Sequence, residues 1–271
     1  MTGLPAGHAA WLAGLHAAAD RSPLRPRLPL RWQGATVGSM EPDFVNHLLL
    51  HVGSACGVLQ KSERDGIVGW DVAGELTASL AGVASALRAA GLTPAWRNEQ
   101  LAIADAQGRV LGTVERAVVR LLGIPTSAVH LVGCSPDGRH WVQQRALTKP
   151  NDPGLWDTLM GGMVPASDTL EQALERETWE EAGLKMEQLE QLAWGGHLMT
   201  RQPATDGNGA GYVLERIDWY RCVLPEGLTP VNQDGEVERF CLLAATDVLG
   251  RLMRHEFTIE AALVLTAAGL E

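Results

Sequence analysis

Apolar residues recur along this chain with two spacings, and the switches between them mark its elements. Leu12, Leu15 and Ala19 share one side of a helix predicted over residues 5–19. A second helical run covers 76–90 and stops at Gly91, and 42–50 is helix-like. Strands are predicted at 32–37, 66–72, 101–104 and 109–114, the last two joined by a turn from Asp105 to Gly108. The Pro- and Arg-rich stretch 21–30 reads as a linker, and 115–122 as a short helix ended by Gly123. A new pattern then begins. Residues 129–134 and 140–145 form a hairpin about Ser135 to Gly138, and a short strand is expected at 156–159. The strongest helix runs from 169 to 182, followed by strands at 189–200 and 212–224 around a glycine-containing loop, 201–211. A strand at 237–244 and helices at 246–254 and 258–268 complete the chain. Helices among several strands predict a mixed α/β fold, with a domain boundary dividing 1–125 from 126–271.

Composition narrows the function. A net charge of -10 over 271 residues argues against a general nucleic-acid backbone binder, which needs a basic surface. No apolar run is long enough to cross a membrane, and the N-terminal stretch lacks the basic segment of a signal peptide, so a cytoplasmic protein is expected. Cys56, Cys134, Cys222 and Cys241 are scattered, without a CxxC pair, and read as free thiols.

The predicted helix at 169–182 carries the chemistry. Asp168 stands where an N-cap belongs, with Glu171 three residues on as the other half of a capping box, and Gly183 stands at the C-cap. Glu177 shares a face with both Glu180 and Glu181. Like charges so spaced repel by a few tenths of a kcal/mol per exposed pair, a sign that bound Mg²⁺ or Mn²⁺ reverses. Arg176 is placed to pair with a neighbouring carboxylate, and Gly161 and Gly162 permit a turn or a close backbone approach. An acidic, solvated helix face would show the same clustering without the spacing described next.

Gly162, Arg176, Glu177, Glu180, Glu181, Gly183 and Leu184 fall in a register that resembles the Nudix box. Asp168 departs from the family's usual Glu and Thr178 from its aliphatic position. The resemblance implies a Nudix α/β/α sandwich with a mixed sheet, preceded here by a smaller α+β domain. It implies catalysis by Arg176, Glu177, Glu180 and Glu181, with the three glutamates carrying Mg²⁺ (or Mn²⁺) while water attacks phosphorus in a small organic diphosphate. The base is left open between Glu181 and a glutamate of a later loop. Further segments, Val129 to Gly133, Trp141 to Arg145, Trp156-Asp157 and Asn232 to Phe240, resemble the branch that includes the Nudix part of fungal thiamin pyrophosphokinase, with its DUF4743-type N-terminal domain. That branch points to thiamin diphosphate or its oxidised and oxo analogues. Arg145 and Lys149 are candidate diphosphate contacts, with Gly161 and Gly162 beside them, and Glu236 and Glu238, two apart on a strand, point one way. Trp96, Trp194 and Trp219 are candidate stacking groups. Two other readings share the fold: a regulator that binds a phosphorylated ligand without turnover, and an isopentenyl-diphosphate isomerase-like enzyme, for which Cys134 lies in no recognisable motif. Residues 1–125 either wall the pocket or form a homodimer surface.

Overall fold

The computed structural model describes residues 7–52, 58–93 and 95–270; Cys56 lies outside them. The first helix, α1 (His8–Ala19), buries Trp11, Leu15 and Ala19. Next come β1 (Leu28–Trp32), β2 (Ala35–Met40), α2 (Pro42–Val52), β3 (Leu59–Arg64) and β4 (Ile67–Val72), whose strands form one sheet in the order β2-β1-β4-β3. Three of these differ from expectation. The strand expected over 32–37 is split by a turn at Gln33 and Gly34, both at positive φ, so that Trp32 ends β1 and Ala35 opens β2. The linker runs into β1 because Pro29 has a single strand neighbour, β4 pairing only with Leu30 and Arg31, and an edge-like position tolerates proline. In β3 only Leu59 is buried, so this edge strand lacks the alternation that would announce it. Helix α3 (Leu76–Ala89) is capped by Glu75, which accepts from the Thr77 and Ala78 amides, and buries Leu80, Val83 and Leu87. The hairpin β5 (Gln100–Ala104) with β6 (Val110–Glu115) packs beside it. Instead of a helix over 115–122, only one 3₁₀ turn forms at Arg116–Val118. These elements surround one core that includes Leu30, Met40, Leu48, Leu80, Ile103 and Leu121.

The rest of the chain builds a larger sheet: β7 (Thr126–Cys134), β8 (His140–Arg145), β9 (Trp156–Asp157), β10 (Met160–Met163), then α4 (Leu170–Ala182), β11 (Glu190–Ala204), the single turn α5 (Asp206–Gly209), β12 (Gly211–Val223), β13 (Val237–Leu243), α6 (Ala245–Met253) and α7 (Ile259–Ala267). The order is β11-β12-β7-β8-β13, with β10 beside β7 and β9 beside β8. Only β12 and β7 run parallel within it, so the sheet is mixed. Period-two alternation along β7 feeds a core on each face. Val129 and Leu131 join Ala173, Leu174 and Ala182 of α4. Ala128 and Val132 join Val248 of α6, Val264 of α7, and Trp11 and Leu15 of α1. The expected α/β/α sandwich is thus realised, with α1 contributing to its outer layer. Among the described residues no helix is long and apolar enough to cross a membrane.

Two local expectations are corrected. Gly161 and Gly162 lie within strand β10, opposite His130 and Val129, and not in a turn. The expected loop 201–211 is largely taken up by regular elements: β11 continues to Ala204, and α5 then packs toward the first core, where a side chain on Gly207 would meet Leu121 and Phe44.

Candidate active site

Helix α4 begins one residue later than its sequence suggests. Thr169 is the N-cap and Gln172 completes the capping box, each side chain bonding to the other's backbone N–H. That frees Asp168, whose Oδ2 accepts from Arg176 Nε at 2.9 Å. Thr and Asp both cap well, and the partner at the third helical position settles which does; here Gln172 pairs with Thr169, where Glu171 would have paired with Asp168. Gly183 closes the helix in the left-handed conformation at φ 64.

Arg176 is the hub of the box. Its Nη1 donates to Glu177 Oε1 at 3.0 Å and to Glu180 Oε2 at 2.8 Å. Burial works against its charge, but Asp168, Glu177 and Glu180 outweigh it and raise its pKa. Glu181 points into the sheet and is 1% exposed. Its Oε2 accepts from Gln143 Nε2 at 2.8 Å and from the Gly161 amide at 3.1 Å, and Lys149 Nζ stands 3.6 Å from Oε1. Lys149 also forms a close ion pair with Glu236. Burial pushes Glu181 up to about 8 despite the pull of Lys149, with Glu177 adding to the rise. Burial likewise pushes Glu177 up to about 7, against Arg176.

The bare backbone of β10 fits under this helix. A Cβ on Gly162 would sit 2.2 Å from Glu177 Cδ, and one on Gly161 would sit 2.6 Å from the His130 ring. The two glycines are therefore a close approach, the second of the options their sequence allows.

Box helix and glycine strand together form one side of a cavity of about 510 Å³. Arg145, Lys149 and Glu236 line it, whereas Glu238 is exposed and does not. The strand is irregular between Val237 and Arg239, and Glu236 precedes its first residue, so the two-residue rule does not carry from one glutamate to the other. Arg145 is tied to Asp157 Oδ2 at 3.4 Å and to the Asn151 carbonyl at 3.1 Å. The tryptophans are elsewhere: Trp219 is buried, Trp194 lies exposed on β11 against His197, and Trp96 stacks on Arg88.

Four further lining residues are not apparent from the sequence: His130, Asp157, Glu215 and Glu260. His130 and Asp157 are buried, and burial lowers the His130 pKa, favouring the neutral ring, with Nδ1 3.0 Å from Thr158 Oγ1. Glu260 is pushed up to about 7, by burial first and by Glu215 second. Its signal was available: it is the lone acid in the first turn of an otherwise apolar α7, just after the Thr258 cap. Its pKa is higher folded than unfolded, so the stability it lends is fully present below the unfolded value and is lost as pH rises through about 7. Glu260→Gln is therefore expected to stabilise the chain by roughly 1–3 kcal/mol at pH 8.5 and by much less at pH 5. Urea unfolding at both pH values measures this, and an equal change at both would refute it.

Glu177, Glu180 and Glu181 line the cavity and offer carboxylate oxygens, the donor type that hard divalent cations prefer. Mg²⁺ or Mn²⁺ fits this chemistry. Among the described residues, no three His, Cys, Asp or Glu side chains already converge as a ligand cluster; Arg176 and Lys149 hold the box carboxylates instead. Cys134 does not line the cavity; it faces His140 Nδ1 at 3.6 Å, and burial raises its thiol pKa, which leaves it no nucleophilic or acid–base role there.

The NUDIX domain model matches residues 125–264, more than half of the chain, and the chain belongs to that family. Among curated proteins it is 29% identical over 185 residues to Nudix hydrolase 20, chloroplastic, of Arabidopsis thaliana, covering 67% of this chain and 48% of that one. It is 27% identical over 187 residues to Nudix hydrolase 24, chloroplastic, of the same plant, covering 68% and 50%. The chain thus spans about half the length of these relatives. The crystal structure of DR0079 from Deinococcus radiodurans shares the fold, with a TM-score of 0.50 at 20% identity, over 62% of this chain and 99% of that one.

Proposed function

We propose that this protein hydrolyses the diphosphate bond of a small organic diphosphate in a Mg²⁺-dependent reaction, with Mn²⁺ able to substitute. One observation carries the reading: Glu177, Glu180 and Glu181 stand on the same cavity wall as Arg176 and Lys149, beside a strand stripped of side chains at Gly161 and Gly162. The three glutamates would hold the metal, which when bound neutralises charge on the phosphoryl oxygens and activates water. The glycine strand leaves room for a phosphate to approach backbone. Lys149 lies between Glu181 and Glu236 and is the cation best placed to exchange a carboxylate for a phosphate oxygen. Arg145, held by Asp157, is oriented rather than free to move. The base that takes the proton of the attacking water stays open between Glu181 and Glu236, the glutamate of the later loop that lines the cavity.

The group attached to the diphosphate is proposed to be thiamin or an oxidised or oxo analogue, on the strength of the branch resemblance. A Mg²⁺ assay against thiamin diphosphate, its oxo forms, nucleotide sugars, NADH and dinucleoside polyphosphates tests both levels. Turnover of the thiamin compounds with release of orthophosphate is expected. Turnover confined to nucleotide compounds would overturn the thiamin assignment, and none across the panel would favour a binding-only regulator.

A further inference from the structure

The cavity has a second wall. Arg97, Glu99, Arg116 and Arg120 line it, all from the first unit of the chain, facing the box helix of the second. We propose that Arg116, with Arg97 beside it, grips the outer phosphoryl group of the substrate, so that the N-terminal unit selects diphosphates whose terminal phosphate is free. This rests on the diphosphate reading above and deepens it.

The wall is a built one. Glu115, buried at the end of β6, accepts from the Arg97 amide at 3.0 Å and from the Ala117 amide at 3.4 Å through one oxygen. The Arg116 amide donates to the Glu99 carbonyl at 2.8 Å, and Arg116 Nη1 lies 2.6 Å from Glu99 Oε2. The two segments that flank the β5–β6 hairpin are thus clamped together, each presenting an arginine to the cavity. The clamp is keyed to the catalytic strand as well: the Ala166 amide, just beyond β10, donates to the Gln100 carbonyl at 2.7 Å. Arg97 and Arg116 line the same cavity as Glu177 and Glu236.

On the box side Arg176 is bonded to Asp168, Glu177 and Glu180, and Arg145 to Asp157, which leaves Lys149, between Glu181 and Glu236, as the cation there that can exchange a carboxylate for one phosphoryl group. A metal held by the three glutamates would supply positive charge on that wall, but a terminal phosphoryl group carries roughly -1.5 to -2 of its own near neutral pH. A planar guanidinium has five N–H donors suited to such a group, and the recorded Arg116–Glu99 pair is made through Nη1. Esterifying the outer phosphate removes one charge and one free oxygen, and with them the partner for this wall.

The test uses the full chain with Mg²⁺ and two matched substrates, an alkyl diphosphate with a free terminal phosphate and the same compound methyl-esterified there. Arg116→Ala is expected to raise KM for the first by about tenfold or more, the scale of one charge-assisted contact, while kcat falls less and the capped compound changes by no more than about twofold. Arg116→Lys should recover part of the loss. Arg97→Ala, at an exposed side chain, carries the same comparison if Arg116→Ala does not fold. Equal loss on both substrates, or none on either, overturns the proposal. Binding of the non-hydrolysable methylenediphosphonate monoester by calorimetry separates the two claims. Arginine-dependent binding without any turnover defeats the hydrolase reading and leaves this one standing; arginine-independent or absent binding defeats this one.

Discussion

Glu181→Gln is expected to lower Mg²⁺-dependent kcat/KM by roughly 10²–10³-fold, the scale on which a preorganised electrostatic contributor acts. The fold should survive, because the wild-type side chain is pushed up to about 8 and is largely protonated at neutral pH, which a glutamine mimics in shape and charge. Gln143 can still donate to the remaining carbonyl oxygen. A second measurement isolates the metal. In the wild type, Mg²⁺ should raise Tm by more at pH 8.5 than at pH 6. The ion needs ionised ligands, and Glu177 and Glu181 give up their protons only as pH passes about 7 and about 8. In Glu181→Gln that Mg²⁺-induced increment should shrink. Wild-type turnover in this variant would remove Glu181 from the site.

Gly162→Ala should separate activity from stability. The new Cβ would lie 2.2 Å from Glu177 Cδ, so that carboxylate must swing away. Its side chain is long and can do so, and the cost to folding should stay near 1 kcal/mol, at the low end for overpacking. Displacing a catalytic ligand by about an ångström is worth roughly a hundredfold in rate, and a loss of that size in kcat is expected. Gly161→Ala makes the contrast. There the obstacle is the buried His130 ring, a rigid side chain held by Thr158 that must break this contact to move, so unfolding by heat should come earlier as well. If Gly162→Ala left kcat intact, Glu177 would not be needed where it stands.

These positions were legible to different degrees in the sequence, for physical reasons. The C-terminal bound of α4, the hairpin before it and the left-handed Gly183 follow from local preferences, which a linear reading captures. The N-cap was misplaced by one residue because Asp168 and Thr169 both cap well, and the choice depended on Gln172 rather than Glu171. Strand β3 was missed because an exposed edge has no hydrophobic alternation to show. Glu260 lies in no motif, and His130 and Asp157 lie in segments read only for their resemblance, with no role assigned to either side chain; the three meet only when α7, β7 and β9 pack. The arginine wall is the extreme case, since Arg97 and Arg116 gain meaning only from a cavity whose other side begins beyond residue 125.

The packing of α1 has a topological consequence. The chain starts in the outer layer of the sandwich, leaves it to build the other core, and returns at β7. Departure and return lie close together: Asp20 bridges to Arg201, which pairs with Leu214, whose neighbour Glu215 pairs with Thr126. Three inter-strand steps of about 4.8 Å separate the two ends. The excursion is therefore a graft spliced into the sandwich at a single seam, and roughly five residues of extended chain would close that seam without it. The arginine wall is thus an insertion in the chain path, held to the sandwich through α5 and the Ala166–Gln100 hydrogen bond, and the covalent continuity of the box helix and its sheet does not run through it.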